Sequence, residues 1–364
     1  MEAKTAYLAY LLKSLGADIR ATGSNPLSTQ DDVVASLKNH YGVNVNARHG
    51  CSLSEYDEFI NWALDIKPDI IIDDGGDLID TLLNNKRDLI AGVKGGLEQT
   101  TTGVKRLKVK YSKNEIPFPM LAVNDATIKY MFDNRYGTGQ SALTAILKST
   151  NMTLASKTVV VCGYGWCGKG LAQMAKGLNA RVIVTETDEL SALTAVFDGF
   201  SVMESIEAAK LGDIFITATG TNKVLTKEHF AVMKDGALLS NAGHFDVEVD
   251  IKYLNENASE IKEVRENVRE YNIFGKKLYI IGEGRLVNLA AGDGHPIEIM
   301  DMSFSMQLLG AIYLCENVKN LPKQLLYIPC ELEKKAARIK LDSMGIKIDS
   351  LSSEQKKYLY GDDK

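Results

Sequence analysis

Apolar positions along the chain alternate between two periods. "TAYLAYLLKSLGADI" carries apolar residues at helical spacing and breaks at Gly16, which predicts a helix near the start. Short strand-like runs then alternate with helical patterns, the rhythm of βαβ units. Within "PDIIIDDGGDLIDTLL", Ile70, Ile71 and Ile72 predict a buried parallel strand ending at Asp73, Asp74, Gly75 and Gly76. Carboxylates at a strand's C-terminal end stand where open α/β sheets hold ligands. A second series starts at Thr158, with strands predicted in "TVVVCG", "RVIVTE", "DIFITATG", "GALLSNAG" and "KLYIIGEG". A helical stretch near Met300 to Leu314 is expected to return to the first series. The pattern predicts an α/β protein of two doubly wound parallel-sheet domains with a short C-terminal tail. The expected boundaries are residues 1–124, 125–294, a return over 295–325, and a lysine-rich tail over 326–364. No internal repeat or low-complexity tract interrupts them.

Composition narrows the partners. With 364 residues, 45% of them hydrophobic and 24% charged, the chain is long enough for two cores. Its net charge of -5 and lack of a basic stripe argue against nucleic acid, whose phosphates are bound by clustered Lys and Arg. Small molecules fit better. Cys51, Cys162, Cys167, Cys315 and Cys330 lack the paired spacing of a disulfide or zinc framework, so no metal is expected and a reducing cytoplasm suits the chain. No apolar run approaches the roughly 18 residues that cross a bilayer, and no signal-peptide layout opens the sequence, so no membrane partner is expected.

"KTVVVCGYGWCGKGLAQMAKGLNARVIVTETD" adds chemistry to the second domain. Gly163, Gly165 and Gly168 follow a strand and open a helix, allowing a tight turn, close approach of a pyrophosphate to backbone N–H groups, and close helix packing. Glycines serving only to pack would leave the next acid unexplained. Glu186 ends the following strand roughly 20 residues on, where a carboxylate accepts from ribose hydroxyls and repels a 2′-phosphate. The cofactor expected over residues 125–294 is therefore NAD in a Rossmann domain.

Several further stretches carry a specific resemblance: "TGSNPLSTQDDV", "DDGGDL", "TTTGV", "NDATIKYMFDNRYG", "GYGWCGKG", "TATGTN", "NAGHFDVEVD", and "GRLVNL" followed by "GHP". From about Glu2 to about Gly361 the chain resembles the S-adenosylhomocysteine hydrolases. The resemblance implies NAD held as a prosthetic group, which oxidises a nucleoside thioether at its 3′-hydroxyl and later returns the hydride. A 3′-ketone makes the C4′ hydrogen acidic, so the 5′ thiolate can be eliminated and water added. The net reaction is thioether hydrolysis with no net redox.

The resemblance also implies roles. Lys129, Asp133 and Asn134 match the family's cluster at the 3′-hydroxyl, and their spacing lets one helical turn present them together. Without it, Lys129 and Asp133 would read as a surface helix pair. Asp74 and His244 match acid/base groups around C4′ and C5′; otherwise His244 would be a structural histidine. Glu2, Lys4, Thr5, Gln99 and His295 match substrate-binding positions in the first domain and its return. Thr100, Thr101 and Thr102 match a run that reaches the cofactor when the domains close, although a threonine triplet more often marks a strand or turn. Thr219 and Asn288 match positions near the nicotinamide. A homotetramer in the cytoplasm is implied as well.

Departures from the family pattern shape two further expectations. Glu98 and Gln99 stand where many members have two glutamates, so one ribose-facing carboxylate has become an amide, which weakens proton withdrawal. The family's histidine would lie one position before Met1, so the substrate domain is expected to be N-terminally incomplete, and the Lys- and Tyr-bearing tail that touches a neighbour's NAD is missing after "YLYGDDK". At the base, Glu2 and Lys4 replace a Thr and a Glu of adenosine-specific members. Lysine only donates and ionised glutamate only accepts, so the pair suits hypoxanthine, with Lys4 on O6 and Glu2 on N1–H, and S-inosylhomocysteine is the expected substrate. Mutual pairing of Glu2 and Lys4 is the alternative. Two rival functions share the cofactor fold: an NAD-dependent 2-hydroxy acid dehydrogenase, whose Arg–Glu–His set finds no matching context, and a non-catalytic NAD-binding regulator.

Overall fold

The computed structural model describes residues 1–361. Residues 362–364, the end of the expected tail, lie outside the described residues. Among the described residues, fourteen strands form three sheets: β1 (Arg20–Ala21) and β2 (Asn44–Val45); β3 (Ile70–Asp73), β4 (Gly95–Glu98), β5 (Met120–Ala122) and β14 (Leu325–Tyr327); and β6 (Thr158–Cys162), β7 (Arg181–Thr185), β8 (Ser201–Val202), β9 (Ile214–Thr217), β10 (Ala237–Asn241), β11 (Glu260–Arg265), β12 (Val268–Ile273) and β13 (Lys276–Ile281).

The largest sheet runs β11-β12-β13-β10-β9-β6-β7-β8. From β8 to β13 every pairing is parallel, in the doubly wound order whose switch point falls between β6 and β9. In β6 the side chains alternate between two cores: Val159 and Val161 enter one, Val160 and Cys162 the other. Burial on both faces explains why this strand reads as an unbroken apolar run. The antiparallel hairpin β11–β12 is an addition that the apolar pattern does not predict, because all six residues of β11 are exposed.

The four-stranded sheet, ordered β14-β5-β4-β3, is wholly parallel. Ile71 and Met120 face one core, Leu97 and Leu121 the other. The long helix Ile297–Asn317 packs on this sheet, burying Met306 and Leu314. Residues beyond it differ from the expectation of a tail. Leu325 to Tyr327 form an edge strand on β5, and the helix Cys330–Ser343 buries Ala336 in the same core. Its Glu333 accepts from the Ile128 N–H at 3.0 Å, beside Lys129. Scattered apolar residues on a lysine-rich helix hid this packing from the sequence pattern.

Candidate active site

Lys129 ends a short helical turn, Thr127–Lys129, and the chain continues as a π-helix over Tyr130–Gly137. Wider i→i+5 winding of this kind recurs at functional sites. Here it brings Asn134 back beneath Lys129, whose Nζ donates to Asn134 Oδ1 at 2.8 Å and to Asn124 Oδ1 at 3.2 Å. Lys129 and Asp133 are 4% and 5% exposed and pair at 3.5 Å, so the surface-pair reading is overturned.

Asp133 gathers donors from four segments. Its Oδ2 accepts from Ser303 Oγ at 2.6 Å and Gln99 Nε2 at 3.4 Å, and its Oδ1 lies 3.2 Å from His295 Nδ1. Burial alone would push this carboxyl up, but Lys129, His295 and Ser303 outweigh it and hold Asp133 well below the usual carboxylate range. With Nδ1 facing Asp133, His295 Nε2 meets Thr138 Oγ1 at 3.3 Å. Gln99 Oε1 accepts from Gln307 Nε2 at 2.8 Å, which orients its amide to donate toward Asp133. Asn124, Ser303, Gln307 and Thr138 escaped the sequence reading. Ser303 stands 170 positions from Asp133, and no local motif records such a contact.

The glycine turn abuts this cluster. Tyr130 stacks on Trp166 with ring centroids 4.8 Å apart, and Asn134 Nδ2 reaches Cys167 Sγ at 3.6 Å. The three glycines divide their work: Gly163 has φ +96, a Cβ on Gly168 would strike Gly163 O, and a Cβ on Gly165 would meet nothing within 4 Å. The open position is where a pyrophosphate needs room. Glu186 directly follows β7 and its Oε2 accepts from the Tyr164 N–H at 2.6 Å, which ties the acid to the turn. Asn288 is 3% exposed; its Nδ2 donates to Ser141 Oγ at 3.0 Å while its Oδ1 is buried without a partner. An orphaned buried acceptor of this kind fits the amide donor of a nicotinamide. The donor set therefore suits NAD.

The other expected cofactor residues are partly engaged elsewhere. Thr100 caps the helix Thr101–Ser112: its Oγ1 accepts from the Gly103 N–H at 2.9 Å and donates to Glu98 Oε1 at 2.8 Å. Its hydroxyl thus serves its own domain, and the triplet starts a helix in place of a strand. Thr101 Oγ1 donates to Asn124 Oδ1 at 3.0 Å and accepts from Asn134 Nδ2 at 3.4 Å, while Thr102 is half-buried on the same turn. Thr219 Oγ1 donates to the buried Glu248 at 2.7 Å, and Lys105 Nζ crosses from the first domain to Thr219 O at 3.3 Å.

His244 follows β10 and turns toward the first domain. Its Nε2 is buried without a hydrogen-bond partner and lies against Gly75, where a Cβ would sit 2.5 Å away. Asp74, one residue earlier, is exposed and has no ion-pair partner among the described residues. The N-terminal helix contributes Glu2 and Lys4, which pair at 2.6 Å; Lys4 Nζ also donates to Asp293 O at 2.6 Å, and Thr5 Oγ1 donates to Glu2 Oε1 at 3.4 Å. The alternative of mutual pairing is thus what the structure holds, with Glu2 and Lys4 side chains only 13% and 15% exposed. Glu2 lines a cavity with Leu27, Gln30, Leu289 and Asp293.

Residues 1–89 match the family model described as S-adenosyl-L-homocysteine hydrolase, and residues 134–294 match the model of its NAD binding domain. The chain is 54% identical to an adenosylhomocysteinase of Thermococcus kodakarensis, over 99% of this chain and 85% of that one. It is also 54% identical to an S-inosyl-L-homocysteine hydrolase of Methanocaldococcus jannaschii, over 99% and 86%, and 51% identical to another of Methanosarcina mazei, over 99% and 87%. A buried Lys–Asp–Asn cluster against a glycine turn, matched nearly end to end, makes this chain a member of the S-adenosyl-L-homocysteine hydrolase family, with that family's NAD-binding domain.

Proposed function

We propose that the protein catalyses reversible, NAD-dependent cleavage of a purine nucleoside thioether of homocysteine by water, with no net redox. The observation that carries this reading is the buried cluster of Lys129, Asp133 and Asn134 pressed against the glycine turn. Bound NAD supplies a hydride acceptor for the 3′-carbon and a donor at the end of the cycle. Gly163, Gly165, Gly168, Glu186 and Asn288 are the residues that would hold it.

Lys129 takes the proton of the 3′-hydroxyl. Asn134 and Asn124 orient the amine, and Asp133 offsets the charge that Lys129 gains. Once the 3′-position is a ketone, the C4′ proton passes to a base at the Asp74–His244 edge, and the 5′ C–S electron pair leaves with the thiolate. His244, with its buried free nitrogen, suits proton transfer to the departing sulfur and from the attacking water. Gln99 binds a ribose hydroxyl without withdrawing its proton.

The reversed polarity of Glu2 and Lys4, whose mutual ion pair the base would have to open, is the ground for a preference for hypoxanthine over adenine. Glu2 accepts from N1–H and Lys4 donates to O6 while retaining its bond to Asp293 O. Five free cysteines suit a reducing cytosol, where we place the protein as a homo-oligomer. No described helix is long and apolar enough to cross a membrane.

The test is to mix NAD-loaded protein with inosine or adenosine and homocysteine, and to follow thioether and free NADH. Thioether formation without NADH release is expected. Accumulating NADH, or no product with either nucleoside, overturns the reading.

A further inference from the structure

Two buried acids behind the catalytic edge have no part in the chemistry above. Asp73 ends β3 and Glu98 ends β4, and the two are register partners across the parallel pair, so their side chains leave the sheet on one face. Asp73 is 3% exposed and Glu98 0%. Neither has an ion-pair partner among the described residues. Two adjacent carboxylates in such surroundings cannot both be ionised near neutrality without large cost.

Their hydrogen bonds say which keeps the proton. Asp73 spreads its charge over three backbone N–H groups: Asp74 at 2.9 Å and Leu78 at 3.4 Å on Oδ1, and Ile79 at 2.9 Å on Oδ2. The last two belong to the first turn of the helix Asp77–Asn85, whose N-terminus favours an anion. Glu98 gathers its donors on one oxygen. Oε1 takes the Gly75 N–H at 3.0 Å, the Thr100 N–H at 2.8 Å and Thr100 Oγ1 at 2.8 Å, while Oε2 is buried with no partner. A carbonyl oxygen accepting and a hydroxyl left over is the pattern of a neutral acid. Burial, joined by the neighbouring charge of Asp73, pushes Glu98 up to about 8; burial likewise lifts Asp73 to about 7.

Through Oε1, Glu98 joins two loops that belong to the site: Gly75, beside Asp74 and beneath His244, and Thr100, beside Thr101. A Cβ at position 103 would collide with the Glu98 carboxyl, so Gly103 leaves the space that the acid occupies. We propose that Asp73 and Glu98 share one proton, and that this neutral bracket is the positioning device for the Asp74 loop in the thioether reaction, a role that rests on the hydrolase reading. Loss of the proton leaves two anions side by side at the ends of adjacent strands, and their repulsion disturbs the strand ends that carry the Gly75 and Thr100 loops and sets the alkaline limit of turnover.

The other charged groups around the bracket do not relieve it. Asp74 on the same loop adds like charge. Asp77 on the next helix accepts from Tyr56 Oη at 3.0 Å and pairs with Arg106 at 2.7 Å. Arg106 also pairs with Asp80 and donates to Gly75 O at 2.5 Å, so its charge is already matched. His244 meets Gly75 from the opposite domain.

The experiment is an infrared titration of the NAD-loaded protein from about pH 6 to about pH 10, beside kcat/KM profiles, for the parent, Glu98→Gln and Glu98→Ala. An amide copies the neutral acid: its oxygen accepts the three donors and its NH2 takes the place of the hydroxyl. The parent should show a neutral carboxylic-acid carbonyl band that fades near pH 8 and is absent from Glu98→Gln. The alkaline limb of kcat/KM should move up by about one pH unit or more in Glu98→Gln, while Glu98→Ala loses at least about tenfold at every pH. No such band above about pH 6 overturns the shared proton. A band with an alkaline limb that Glu98→Gln does not move overturns the positioning role. An inactive parent that still shows the Glu98-dependent band upholds the proton and overturns the hydrolase reading instead.

Discussion

Gly75 and His244 meet across the two domains so closely that a single added carbon would fall 2.5 Å from His244 Nε2. Gly75 also sits at φ +110, a conformation that side chains rarely adopt. Gly75→Ala should therefore displace the histidine and strain the turn, with a backbone cost of about 1–3 kcal/mol. The expected outcome is a loss of turnover larger than the loss of NAD binding, read from kcat and from cofactor content after gel filtration. A variant with parental kcat would show that this contact does not set the histidine's position.

Lys129→Ala should abolish reduction of the bound cofactor by nucleoside while NAD stays bound, because in the proposed function Lys129 meets the 3′-hydroxyl and not the dinucleotide. The same change strips a buried carboxylate of its nearest cation, which costs about 3–5 kcal/mol. Thermal unfolding should register that loss at neutral pH. The Asp133 carboxyl is held below its unfolded value, so its contribution to stability is present above about pH 4 and disappears as pH falls further through its folded value. The difference in midpoint between parent and variant should narrow below about pH 4; a constant difference contradicts the ion-pair account.

Glu186 holds the Tyr164 N–H inside the glycine turn, and in the proposed function its carboxylate accepts from the ribose hydroxyls and repels a 2′-phosphate. Glu186→Ala should release NAD more readily and accept NADP more readily. Equilibrium dialysis against both cofactors measures this, and unchanged selectivity argues against Glu186 as the ribose contact.

The Glu2→Thr, Lys4→Glu double variant should shift kcat/KM from the inosine thioether toward the adenosine thioether. Each mismatched buried group costs about 1–3 kcal/mol, so a change of roughly tenfold or more is expected. Because Lys4 also holds Asp293 O, a conformational loss would lower both substrates equally, whereas a base-reading pair moves their ratio. Parental preference for the adenosine thioether sinks the assignment.

The sequence by itself determined the doubly wound sheet, the glycine turn with its acid, and the residue types of the candidate cluster. These are local: strand runs such as "TVVVC" must be buried on both faces, and three glycines before a helix have few other uses. It also exposed Glu2 and Lys4 as reversed in polarity. Only the tertiary structure decided that Glu2 and Lys4 are joined to each other, that Thr100 turns to Glu98, and that residues 325–343 complete the first domain. The contacts of Asp133 with Ser303 and His295, and the pairing of Asp73 with Glu98, were likewise invisible beforehand. Such contacts join residues far apart in the chain, and whether a carboxyl is charged depends on the burial and neighbours that folding brings to it.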